Sequence, residues 1–208
     1  MNKNNSKNLE KIFEFLHVVE DLKSTLRYNS TKKGRRESTA EHSWRLTLMS
    51  FIILDELKLD LDKNKVMKLC LIHDLPEALV GDVDAIEIYK GTISKEEKSD
   101  KELNAMIKIK NLLPNKIGED ILNLWKEYEN SASREAKFVK ALDKIETTTQ
   151  LVEIGHTKWH YPDFVAQYSD KTIKDFPELL DTLKILKQKL KAEFKKGNLK
   201  WKKEYDIE

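Results

Sequence analysis

The dipeptide His73-Asp74 ends an apolar-rich run, Val66 to Ile72, and stands two residues before Pro76. On an uninterrupted helix, adjacent side chains diverge by about 100° and rarely share a target. A proline pushes the residue before it out of helical backbone, so the helix is expected to end here and free the carboxylate to converge with the imidazole on one ion. Alone, the pair is a weak signal. Glu77 follows His73 by four residues, close enough on a helical turn to point into the same space, and Asp82 follows Gly81 directly. Upstream, His42 stands in the first turn of an inward-facing helix. Downstream, Asp143 lies midway along the apolar stretch Phe138 to Ile145. Burying its charge costs several kcal/mol unless something compensates. A metal ion is one compensation; Lys140 and Lys144 are another.

His42, His73, Asp74 and Asp143 together supply two nitrogens and two oxygens and no thiolate. Such a set suits Co²⁺, Mn²⁺, Fe²⁺, Ni²⁺ or Zn²⁺ better than the oxygen cages of Ca²⁺ or Mg²⁺. Four protein ligands leave room for water and substrate once coordination expands, and a metal there would acidify the water and neutralise a phosphate oxygen. The basic residues point to an anion independently. Only five of the 38 are Arg, and Arg27, Arg35, Arg36 and Arg45 share one short window just around His42. Arg is the fork that grips carboxylate and phosphate, whereas Lys mainly solubilises.

In order along the chain, Ala40-Glu41-His42-Ser43, His73-Asp74-Leu75-Pro76-Glu77-Ala78, Gly81-Asp82 and Ala141-Leu142-Asp143-Lys144 resemble the HD-domain metal-dependent phosphohydrolases, most of all their 5'-deoxynucleotidase branch, over roughly residues 10–170. Without an internal repeat or low-complexity linker the chain reads as one all-α domain over residues 1–208, with periodicity predicting a C-terminal helix at about 177–196 packed on the rest. The resemblance implies an HD-type helical bundle with its metal site between helices. It implies His42, His73, Asp74 and Asp143 as metal ligands and Glu77 as a proton-handling acid. Arg27, fifteen residues before His42, matches a phosphate-orienting Arg, and Asp82 matches a substrate-contacting carboxylate. Arg35 and Glu37 resemble the residues that buttress the loop before the first His. Tyr28 stands where the nucleotidase type has Trp, and Ala85 where it has Thr; both fall among the substrate contacts. The implied reaction is hydrolysis of (deoxy)nucleoside 5'-monophosphates to nucleoside and phosphate, by a chain that binds a small-molecule nucleotide and pairs as a homodimer. Alternatives are another HD hydrolase, acting on a dNTP, a pyrophosphorylated nucleotide or a phosphodiester, and a non-catalytic helical module with a structural metal. A single ligand set without a second His pair argues against the binuclear phosphodiesterase type.

Helices must position these residues, because the chain has little else. Its 208 residues contain six Gly and four Pro, less than half of average usage, which disfavours many-stranded sandwiches and barrels. Helical periodicity predicts a first helix at about 8–23 with Ile12, Leu16, Val19 and Leu22 on one face, then a polar, Arg-bearing loop to about 38. Ser38 and Glu41 form a capping box that starts a helix to about Leu57. Helices follow at about 63–74, a short turn at 76–80, and an irregular stretch to Thr92. Ser94 and Glu97 form a second capping box, for a helix to about Leu113. Pro114 opens the next, with Ile117, Ile121, Leu124 or Trp125, and Tyr128 inward. Ser133 caps a long helix at about 134–155, followed by the aromatic loop Trp159-His160-Tyr161-Pro162.

The 39% hydrophobic and 36% charged composition excludes disorder and suits amphipathic helices. Charges of 38 and 36 nearly cancel to +2, which gives no argument for nucleic acid or a membrane as partner. One cysteine, Cys70, excludes an intrachain disulfide and reads as helix packing. No secretory signal precedes the first helix, so a cytoplasmic location is expected. His17, His156 and His160 lack a motif partner and read as ordinary residues. Arg45 is expected to brace Glu41 or a loop carboxylate, Trp44 to be core, Asp84 and Glu87 to be solvated, and the loop near Trp159 to be an exposed apolar interface.

Overall fold

The helix starts follow from their capping residues. In a computed structural model, which describes residues 3–207, α1 (Lys3–Val19) runs into a 3-10 turn and then into two short strands, β1 (Leu26–Ser30) and β2 (Arg36–Ser38). Next come α2 (Thr39–Glu56), α3 (Lys63–Ile72), α4 (Glu77–Val80), α5 (Ala85–Lys90), α6 (Lys95–Leu112), α7 (Asn115–Glu129), α8 (Arg134–Ile154), α9 (Pro162–Gln167), α10 (Asp170–Ile173) and α11 (Leu180–Lys196). Both capping boxes form: Ser38 with Glu41 opens α2 and Ser94 with Glu97 opens α6. Asp62 and Ser133 cap α3 and α8 through their side chains. Each such cap contributes about 1 kcal/mol.

α8 is the axis of the bundle, packed by α2, α3, α7, α11 and β1. The main core joins Leu46 and Leu54 of α2, Leu69 and Cys70 of α3, Phe138, Leu142 and Ile145 of α8, and Leu183 and Leu186 of α11. A second cluster, with Met106, Ile109 and Trp125, closes α6 and α7 over Ile72 and Leu75, where α3 ends. Cys70 is free and buried, its thiol pushed up to about 12 chiefly by that burial. No helix among the described residues is long and apolar enough to cross a membrane.

The structure departs from the sequence reading at several points. The Arg-bearing loop is an antiparallel hairpin, with Leu26 opposite Ser38 and Ser30 opposite Arg36, turned at Gly34 where φ is +89°. Arg36 ties it together by donating to the carbonyls of Arg27 and Leu26. The irregular stretch after Gly81 holds α5, capped by Asp84. In α7, Trp125 and Tyr128 are buried and Ile121 and Leu124 pack against the core as expected, but Ile117 is exposed and Gly118 and Leu122 complete the inward line. Gly118 explains this phase: a Cβ there would stand 2.4 Å from the carbonyl oxygen of Lys110, so only glycine lets α7 approach the end of α6. In α1, Phe15 and Val19 pack inward with Leu22, while Leu16 is 50% exposed. Trp44 is not core but 65% exposed, on a stripe of α2 shared with Leu48, Phe51 and Ile52. Trp159, conversely, is buried with Leu151, Val165 and Phe194, its indole donating to the Leu151 carbonyl at 2.9 Å. The loop around it is therefore no exposed apolar interface.

Candidate metal centre and substrate cleft

α3 ends at Ile72, and His73 caps it, its N–H still bonded to the Leu69 carbonyl. Pro76 precedes the single turn of α4, and Gly81, at φ +76°, takes the left-handed backbone that ends that turn. This break sets His73, Asp74, Glu77 and Asp82 around one space. α2 brings His42 to it in its first turns, and α8 brings Asp143 from mid-helix. The ligand atoms of His42, His73 and Asp143 lie within 4.8 Å of one another, and all three residues are buried. Asp74 joins them with its Oδ2 2.9 Å from His73 Nε2 and 3.9 Å from His42 Nε2.

The free atoms in this cluster are the ones a metal needs. His42 Nδ1 meets Glu146 Oε2 at 2.6 Å, and His73 Nδ1 donates to the Cys70 carbonyl at 2.9 Å. Both outer nitrogens are thus engaged, and the two buried Nε2 atoms face carboxylate oxygens of Asp74 and Asp143 at 2.9 and 3.1 Å without a well-aligned hydrogen bond. A carboxylate or carbonyl behind each ring, with the other nitrogen facing inward, is the arrangement of metal-bound histidine. Tyr128 donates to Asp143 Oδ2 at 3.3 Å and Lys144 at 2.8 Å, leaving Oδ1 3.1 Å from His42 Nε2. Burial opposes a charged His42, yet Glu146 and Asp143 outweigh it and lift the ring to about 10. The space is electrostatically a cation's place. His42, His73, Asp74 and Asp143 therefore fit a divalent metal.

Arg27, from β1, faces the same cluster. Its Nη1 donates to Asp74 Oδ2 at 2.9 Å and stands 3.9 Å from Asp82 Oδ1. Burial works against its charge, but Asp74, Asp82 and Glu77 hold the guanidinium firmly protonated. Glu77 is buried and accepts from the Thr39 hydroxyl at 2.7 Å. Its carboxyl is pushed well above the usual range, first by burial and then by Asp74 and Asp82. These residues form one end of an open cleft. Tyr28 and Ala85 line it, and its far walls include Ile86, Leu151, Tyr161 and Phe164.

All the site residues expected from the sequence thus meet at one cleft or its floor. Several partners escaped that reading. Glu146 lies three residues after Asp143 on one helix face, a spacing that would have revealed it. Thr39 carried no signal beyond lying next to a helix cap. Arg45 does not brace Glu41; it reaches Gln150 and Glu153 on α8, and Arg35 pairs with Glu41 instead. Glu37 is buried beside Glu146 and pushed up to about 7, chiefly by burial. Asp84 and Glu87 are half-buried rather than solvated, and Asp84 lines the cleft.

The model of the HD domain matches residues 19–183. The chain belongs to the HD-domain family. Human 5'-deoxynucleotidase HDDC2 is 35% identical over 173 residues, covering 81% of each chain. The zebrafish (Danio rerio) protein of that name is 34% identical over 186 residues, 86% of this chain and 88% of its own. Among solved structures, a predicted metal-dependent phosphohydrolase from Magnetospirillum magnetotacticum superposes with a TM-score of 0.75 at 24% identity, over 92% of this chain and 98% of that one. That likeness shows the fold: an HD domain is a helical bundle, and the small hairpin here is its one sheet among the described residues.

Proposed function

We propose that this HD-domain chain, as one domain over residues 1–208, is a metal-dependent 5'-deoxynucleotidase that hydrolyses (deoxy)nucleoside 5'-monophosphates to nucleoside and phosphate. One observation carries the reading: two buried imidazole nitrogens without a well-aligned hydrogen bond stand beside Asp74 and Asp143, directly against a part-buried arginine, at one end of a cleft. The names of its relatives agree with it.

His42, His73, Asp74 and Asp143 would hold the metal, drawn from Co²⁺, Mn²⁺, Fe²⁺, Ni²⁺ and Zn²⁺. When bound, such an ion polarises a phosphate oxygen and makes water a better nucleophile near neutral pH. Arg27 binds the phosphate through its fork and keeps its charge, because carboxylates surround it. Its two carboxylate neighbours also hold it in place, so it need not be ordered when substrate arrives. Glu77 and Asp82 flank that position and handle the protons. The raised Glu77 carboxyl carries a proton for the leaving 5'-oxygen, oriented by the Thr39 hydroxyl. Asp82 accepts from the attacking water or a sugar hydroxyl. Tyr28 offers its ring face beside the phosphate, and Ala85 leaves room at the wall of the cleft.

The test is phosphate release from each common nucleotide by purified protein supplied with Co²⁺ or Mn²⁺. Turnover of deoxynucleoside monophosphates supports the reading. No release from any of them, with release from a dNTP or a cyclic dinucleotide instead, overturns it.

A further inference from the structure

Three consecutive threonines on α8 are not equivalent. The hydroxyls of Thr148 and Thr149 donate to the carbonyls of Lys144 and Ile145, at 2.9 and 2.7 Å. Bonding four residues back is how a helix ordinarily satisfies a threonine. Thr147 makes no such bond. Its hydroxyl is buried without a partner, the residue is 9% exposed, and it lines the cleft. Asn29 of β1, 3% exposed, also lines the cleft. It donates through Nδ2 to the Thr147 carbonyl at 3.4 Å, which fixes the amide and leaves Oδ1 buried without a partner. A buried polar atom left unsatisfied is a standing cost in a folded chain. Two of them, side by side in one cleft, await a ligand group.

The chemistry of that group follows from the pair. Asn29 Oδ1 only accepts, while the Thr147 hydroxyl both donates and accepts. An alcohol satisfies both atoms at once, donating to Asn29 and accepting from Thr147. A phosphate oxygen would be repelled by Oδ1, and an apolar group would satisfy neither. Position narrows the choice further. Thr147 lies one turn after Asp143 on the same helix face, about 6 Å along the axis. Asn29 lies two residues after Arg27 on β1, about 7 Å on. Helix and strand step the same distance away from the phosphate end, toward the apolar wall of Leu151 and Val165. That step is comparable with the five bonds that separate phosphorus from the 3'-oxygen of a nucleotide.

We propose that Asn29 Oδ1 and Thr147 Oγ1 hold the 3'-hydroxyl of the nucleotide sugar and make the enzyme select for substrates that carry it. The inference rests on the reading of the cleft as a nucleoside 5'-monophosphate site. Its test is the ratio of kcat/KM for a deoxynucleoside 5'-monophosphate to that for its 2',3'-dideoxy analogue, with Co²⁺ or Mn²⁺ supplied. Both substrates are read on one preparation, so the ratio does not depend on the fraction folded. The expected wild-type ratio is tenfold or more, because the analogue leaves both buried atoms unpaired. Thr147→Val and Asn29→Ala each lower it at least fivefold, mainly through KM, and Thr147→Ser keeps it. A wild-type ratio near one, or a Thr147→Val ratio equal to wild type, overturns this inference while leaving the nucleotidase reading intact. No phosphate release from either substrate overturns both.

Discussion

Glu146 is absent from the metal-ligand set, yet the geometry makes metal affinity depend on it. Its side chain is fully buried, with Oε2 2.6 Å from His42 Nδ1 and Oε1 3.4 Å from Arg45 Nε. Replacing it with Gln keeps the shape and one carbonyl oxygen for the ring but removes the charge that strengthens the His42 nitrogen facing the cluster. A hydrogen bond to a charged group contributes about 1.5–3 kcal/mol. Carboxylates behind metal-bound histidines are worth about 10–100-fold in metal affinity, or about 1.4–2.8 kcal/mol at 1.4 kcal/mol per factor of ten. The two routes agree, so Glu146→Gln should weaken Co²⁺ binding about 10–100-fold. The assay strips the protein with a chelator and titrates Co²⁺ back, following the visible absorption of the bound ion against a competing chelator, with far-UV circular dichroism as the folding control. Arg45 keeps Gln150 and Glu153 as partners, so the helical signal should persist. A well-folded variant with the wild-type Kd would refute the argument that Glu146 sets the ring. Lost helicity would give Glu146 a structural role instead.

Asp74→Ala should abolish phosphate release and lower metal retention at least tenfold; activity that survives it would mean the site is wrongly placed. Chelation should lower Tm, since the carboxylates of Asp74 and Asp143 then face each other's charge with less compensation, and unchanged melting would show that the cluster binds no metal. Burial pushes Glu37 up to about 7 from an unfolded value of 4.5, so the folded state holds a proton that the unfolded state releases, and stability falls as pH rises through that window. Wild type should therefore lose up to about 3 kcal/mol between pH 4.5 and 7.5 that Glu37→Gln retains, read from urea midpoints; a parallel decline in the variant would refute it. Calorimetry should detect nucleoside monophosphate binding at least tenfold more weakly in chelated than in metal-loaded protein, and equal affinities would count against a metal in the phosphate site.

The sequence made the ligands legible and their supports mostly illegible, for a physical reason. His42, His73, Asp74 and Asp143 announce themselves because a titratable side chain on an apolar helix face, or at a helix break, contradicts its surroundings. Helix starts were equally plain, since Ser38 and Ser94 with a Glu three residues on leave a local pattern. The hairpin was missed because its strands, five and three residues long, are polar and held by Arg36 to backbone carbonyls, which leaves no alternation of apolar residues to read. The inward place of Gly118 in α7 was missed because it is defined by its approach to Lys110, a contact between helices that periodicity within one helix does not contain. Trp44 and Trp159 exchanged roles for the same reason: an aromatic residue's burial depends on which neighbour covers it. Glu146 could have been read from its spacing to Asp143, whereas the Thr39 bond to Glu77 joins residues 38 apart and exists only once α2 and α4 are folded together.

The balance of charge explains why these supports matter as much as the ligands. Asp74, Asp82, Asp84 and Asp143 face the cleft, and its cations are Arg27, Lys98 and Lys144, with the protonated His42 ring buried behind them. Each cation is already committed, Arg27 to Asp74 at 2.9 Å, Lys144 to Asp143 at 2.8 Å, Lys98 to Glu102 at 2.6 Å and His42 to Glu146 at 2.6 Å. A phosphate entering this site would meet a surplus of negative charge and find no free cationic partner in the cluster, so the chain by itself is a poor anion receptor. A divalent ion held by His42, His73, Asp74 and Asp143 changes the sign of that account. It takes up the charge of the two aspartates without displacing the arginine, and the Arg27 fork, still fixed beside Asp82, then has its remaining N–H groups for the phosphate. The carboxylates that make the site hostile to substrate are thus the same ones that make it selective for a cation, and anion binding becomes conditional on the metal through charge alone, with no change of fold required.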